Sequence, residues 1–228
     1  MTVADSDDMV VTDVRPETPP AARRARLLRG GVAGNERLTA LAGSVLFLLL
    51  AAEGVTILRI HALVTAHIVI GMVVTAVVGL KLVSTGWRFT RYYSGDARFR
   101  QAGPPQPFMR FLAPVLVALT AAVLGSGILL VLLGRNSGPW LFLHKASFVL
   151  WFAITSLHVL VYAWRVPRLI AGDLLPRATA ALAGRWVRLA AVAIALAAGV
   201  GLAAAVVHDA GPWTHETHQG DDHFHDVG

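Results

Sequence analysis

Four side chains in this sequence combine chemical reactivity with a regular spacing inside apolar surroundings. His144 and His158 lie fourteen residues apart within residues 144–165, a stretch that is otherwise almost wholly apolar. Fourteen residues are close to four helical turns, so on a helix both imidazoles leave one face, about 21 Å apart along the axis. An earlier stretch, residues 67–88, carries His67 and Lys81 at the same separation. Each stretch closes on the same pair, Trp87-Arg88 in one and Trp164-Arg165 in the other. One offset of 77 residues superposes those ends and also sets His144 on His67 and His158 on Lys81.

If both stretches cross a membrane in the same direction, His67 and His144 share a depth near one surface. Lys81 and His158 then share a depth near the other. An ionisable side chain inside a span is costly, and it marks a functional position that is partnered from another helix. Two histidines facing each other at matched depth can ligate a metal or a haem iron from both sides. With nitrogen donors only and no carboxylate motif beside them, a b-type haem suits them better than a carboxylate-rich metal centre. A macrocycle between helices needs close backbone approach, which Gly125, Ser126 and Gly127 offer, although small residues also serve plain helix packing.

His61 precedes His67 by six residues, roughly 120° further round the helix, and is expected at the interface rather than on iron. The inner level is a different case. Lysine must lose its proton to bind iron, at roughly 4 to 5 kcal/mol from its reference pKa to neutral pH. Lys81 is therefore expected to snorkel to headgroups or to pair with a haem propionate. For His158 the sequence leaves open a second haem, a hydrogen bond to a quinone, or a satisfied buried contact.

The elements that must position these residues are membrane spans. The chain has 228 residues, 55% of them hydrophobic, and a mean hydropathy of +0.60, which suits a polytopic membrane protein. The absence of cysteine excludes disulfides, iron–sulfur clusters and thiol nucleophiles. Five spans are expected, at residues 38–57, 61–83, 111–133, 141–164 and 186–207, giving an all-α helix bundle with a four-helix haem-binding core. Glu53 interrupts the first span, Pro114 is expected in the first turn of the third, and Pro167 is expected to end the fourth. Residues 84–110 are read as a loop rich in aromatic and basic residues at a water interface. Residues 1–37 are read as a disordered basic leader and residues 208–228 as a tail; no secretory signal peptide is expected.

The net charge of +6 is topological, so membrane lipid is expected as a partner and nucleic acid is not. Arginines crowd the leader, residues 84–110 and residues 165–188, whereas the opposite side has only Arg59, Arg135 and Lys145. The positive-inside rule then gives a cytoplasmic N-terminus, an extracytoplasmic tail and a plasma-membrane location. The second and fourth spans run the same way, as the histidine pairing requires.

A parallel pair of spans with His67 and Lys81 on one and His144 and His158 on the other resembles the haem bundle of the cytochrome b and b6 group. More loosely it resembles the small cytochrome b subunits of bacterial oxidoreductases. The likeness covers residues 61–165. It implies haem ligands at His67 and His144, a second-haem ligand at His158, and electron transfer between a quinone pool and a partner redox protein. Lys81 departs from the group at the fourth ligand position, and the fifth span and the tail fall outside its pattern.

The tail carries His215, His218, His223 and His225 among carboxylates, a mixture that can chelate zinc, copper or nickel weakly. A second class of function stays open on these residues: a haem-free membrane binding, assembly or metal-handling protein, with Glu53, His61, His67 and His144 lining an ion path. No nucleophile–base set or phosphate loop is apparent, so the chain is expected to be an electron-transfer subunit and not a stand-alone catalyst.

Overall fold

Sequences with this apolar content and few breakers satisfy their backbone groups in lipid only by continuous helix or a closed barrel. The computed structural model describes residues 31–103, 107–134, 138–174 and 184–210, and among them every regular element is helical. The order is α1 (Gly31–Leu58), α2 (Ile60–Tyr93), α3 (Ala97–Gln101), α4 (Pro107–Leu133), α5 (Gly138–Tyr162), α6 (Val166–Leu174) and α7 (Arg185–Val206), then a 3-10 turn (Val207–Ala210). Five of these, α1, α2, α4, α5 and α7, are long and apolar enough to cross a membrane. They carry exposed large apolar side chains such as Leu48, Phe111, Phe142, Leu160 and Ile194, which suits a lipid-facing wall. The expected four-helix haem core is a finer statement than this architecture makes.

Four boundaries differ from the sequence expectation. α1 already begins at Gly31, so residues 31–37, read as the end of a disordered leader, are helical. α2 continues to Tyr93 through residues expected in a loop, because nothing in that segment breaks a helix. Its regular part, beyond a kink at Leu63, is about 45 Å long, more than a hydrocarbon core of about 30 Å. Its last turns, where Arg91 lies over the Trp87 ring at 4.6 Å, extend the span as an interfacial helix. α4 begins at Pro107, so Pro114 lies inside it and not in its first turn. Pro167 falls in the first turn of α6, where a missing N–H costs little, and so opens a new helix after α5 has ended at Tyr162.

α1 and α2 form a tight antiparallel hairpin turning at Arg59. The end away from that turn is pinned by Asn35 Nδ2 donating to the Ser84 carbonyl at 3.0 Å and by the Thr39 and Ser84 hydroxyls at 2.9 Å. α7 packs along α2 so closely that a Cβ on Gly199 would stand 2.6 Å from the Val73 Cα. α4 and α5 form a second hairpin, joined by Trp151 Nε1 donating to the Thr120 hydroxyl at 2.9 Å. The two groups, α1–α2–α7 and α4–α5, meet mainly through a light contact between α2 and α4. α6 packs on α1, and Arg165 reaches Glu36 at 3.8 Å, so the end of α5 lies beside the start of α1. α2 and α5 consequently run in the same direction.

Candidate functional site

Because α2 and α5 are parallel and in step, His67 and His144 come together near the Arg59 turn. Their ring centres are 6.3 Å apart and their planes are nearly perpendicular, at 85°. An imidazole nitrogen binds a metal at about 2.0 to 2.1 Å, so two rings on opposite sides of one ion have centres about 6 Å apart. The observed separation is of that size.

The hydrogen bonds fix which nitrogen each ring has to offer. His67 Nδ1 lies 3.0 Å from Glu53 Oε1 and 3.0 Å from the Thr56 hydroxyl, both on α1. A carboxylate only accepts, and the Thr56 hydroxyl spends its proton on the Glu53 carbonyl at 2.6 Å, so the proton between them belongs to Nδ1. His144 Nδ1 lies 2.9 Å from the Val123 carbonyl and 3.2 Å from the Ser126 hydroxyl, which itself donates to the Ala122 carbonyl at 2.6 Å. The same reasoning puts the proton on Nδ1 there. In both rings Nε2 is left with a free lone pair, and the Nδ1 anchor is the second-shell pattern that holds a metal-binding histidine in place.

Both rings line a half-open cavity of about 540 Å³ between α1, α2, α4 and α5. Its walls are mostly apolar, with Met72, Val74, Leu124, Val131 and Phe148 among them. Gly127 also lines it, and a Cβ at Gly127 would stand 3.1 Å from His144 Cε1, so the glycine makes room for the ring. Ser126 anchors that same ring, whereas a Cβ at Gly125 would meet nothing within 4 Å. Ser126 and Gly127 thus border the His144 ring, a role other than the close backbone approach expected of the three small residues. Two buried polar atoms of the cavity lining, Glu53 Oε2 and the Thr155 hydroxyl, have no hydrogen-bond partner.

Chain comparison finds no relative: no family model, curated protein or solved structure matches. The site must be read from its own geometry.

Lys81 and His158 are not part of the cavity lining. The Lys81 ammonium donates to the Thr39 carbonyl at 3.3 Å in a space that Gly43 leaves open, where a Cβ would stand 2.9 Å from Nζ. It therefore points into its own hairpin. The His158 ring packs on Tyr162 at 5.0 Å. His61 is exposed, as its angular position predicts. His215, His218, His223 and His225 lie outside the described residues. Among the described residues no group of three or more His, Asp or Glu side chains is arranged to hold a bare metal ion.

Thr56 and the Val123 carbonyl were not picked out from the sequence. Thr56 had a signal, because it follows Glu53 by three residues and so shares its helix face. A backbone carbonyl has none.

Proposed function

We propose that this chain is a multi-pass membrane b-type cytochrome that carries electrons between the quinone pool and a partner oxidoreductase or extracytoplasmic redox protein. The observation that carries the reading is the His67–His144 pair, with ring centres 6.3 Å apart and each Nδ1 anchored so that Nε2 is free, at the edge of an apolar chamber. A chamber of about 540 Å³ lies within the range of cofactor sites, and a bare ion would require no such volume. Bound there, a haem b supplies a one-electron iron couple.

The chain's own part is to ligate, orient and insulate. His67 and His144 would hold the iron, and Glu53, Thr56, Val123 and Ser126 keep both rings from turning. The apolar walls exclude water and lower the local dielectric, which tunes a buried redox centre. Because Lys81 and His158 stand outside the cavity, one haem per chain is the expected load. With its arginine-rich loops inside, the chain would sit in the plasma membrane with a cytoplasmic N-terminus, which puts the histidine pair near the outer surface.

The deciding experiment is an absorption spectrum with a haem count on protein purified from haem-sufficient cells. A Soret band, a reducible α band and one haem per chain are expected. Colourless protein would overturn the cytochrome reading and leave the ion-handling one, in which Glu53, His67 and His144 serve a metal and the tail collects it.

A further inference from the structure

The two facing histidines are anchored by unlike chemistry. His144 gives its Nδ1 proton to neutral oxygens, the Val123 carbonyl and the Ser126 hydroxyl. His67 gives its proton to the Glu53 carboxylate, with the Thr56 hydroxyl sharing it. Glu53 stands on a different helix, largely buried, and its second oxygen has no partner. The hydrogen bond to His67 is thus the contact through which its charge is expressed.

A carboxylate on the far nitrogen of a metal-bound histidine raises the ligand's basicity, whereas a backbone carbonyl does so less. Resting on the haem reading above, we propose that Glu53 is a positioning residue that makes His67 the stronger-donating axial ligand. The centre is thereby biased toward its oxidised, more positively charged state and set to a low reduction potential. Glu53 acts through His67 and does not itself touch the iron. The consequence is directional: a low-potential centre near the outer surface passes electrons readily to an acceptor and takes them only from a strongly reducing donor.

The test is a redox titration of purified full-length protein at fixed pH, with dithionite supplying electrons and ferricyanide removing them, in wild type, Glu53→Gln and Glu36→Gln. Glutamine keeps a hydrogen-bond acceptor for His67 and removes the charge. At one ambient potential, Glu53→Gln is expected to raise the reduced-to-oxidised ratio at least tenfold, equivalent to about 59 mV for one electron. Glu36→Gln removes a carboxylate from the other end of the same helix, where it faces Arg165 and not the cavity, and is expected to change the ratio less than threefold. Electron paramagnetic resonance of the oxidised form should show a weakened axial field in Glu53→Gln alone. Haem retained in Glu53→Gln with an unchanged ratio would overturn the inference and leave the cytochrome reading standing. So would equal shifts in the two variants. Loss of haem from Glu53→Gln would reduce Glu53 to holding the ring in place, and wild type without haem would overturn both readings together.

Discussion

Adding one methyl group at Gly127 tests whether the anchored geometry of His144 matters. The new Cβ would stand 3.1 Å from His144 Cε1 and 3.4 Å from Nδ1. Non-bonded carbon atoms sit best at about 3.5 to 4.0 Å, so the ring must retreat by about 0.4 Å or more. The Val123 carbonyl, 2.9 Å from Nδ1, is one turn away on the same rigid helix and cannot follow. Disturbing the second-shell bond of a metal-ligating histidine costs about 10- to 100-fold in affinity. That is about 1.4 to 2.7 kcal/mol. Gly125→Ala is the matched control, because a Cβ there meets nothing within 4 Å. Its only expected effect is a helix-propensity gain of up to about 1 kcal/mol. Haem titrated into detergent-solubilised apoprotein and followed at the Soret band gives both dissociation constants. Equal affinities in Gly127→Ala, Gly125→Ala and wild type, or a larger loss in Gly125→Ala, would refute the role assigned to the His144 anchor.

His67→Ala and His144→Ala should each abolish the Soret band, while His61→Ala should leave it, since His61 is exposed; equal loss in all three would sink the facing arrangement. Lys81→Met and His158→Ala should keep one haem per chain by pyridine haemochrome assay, because neither side chain lines the cavity. Gly199→Val drives a side chain into the Val73 backbone, where a Cβ already stands 2.6 Å from Cα. Overpacking of this kind costs about 1 to 3 kcal/mol and should lower the midpoint of thermal unfolding even in the absence of haem.

Much of this protein was legible from sequence because its main signals are local. A membrane span is a long apolar run, and a helix places residues fourteen apart on one face whatever surrounds it. Five spans and the matched depths of His67 and His144 follow from those two facts. The boundaries failed where a local rule was applied too strictly: an interfacial segment rich in arginine and tyrosine stayed helical in α2, and Pro167 opened a helix.

The tertiary structure decided which side chains share a space. How far α1 is rotated against α2 is set by how side chains such as Leu46, Val74 and Val77 pack across their interface, and no period within either helix encodes it. That rotation brings Glu53 and Thr56 to His67 and turns Lys81 toward the Thr39 carbonyl, away from the cavity. The cavity itself exists because the α4–α5 hairpin and the α1–α2–α7 group touch only lightly. Sequence by itself determined the helices and the depth of each polar residue in them, because both follow from local hydropathy and helical pitch. Only packing between distant segments determined that one histidine is held by a carboxylate and the other by a peptide carbonyl.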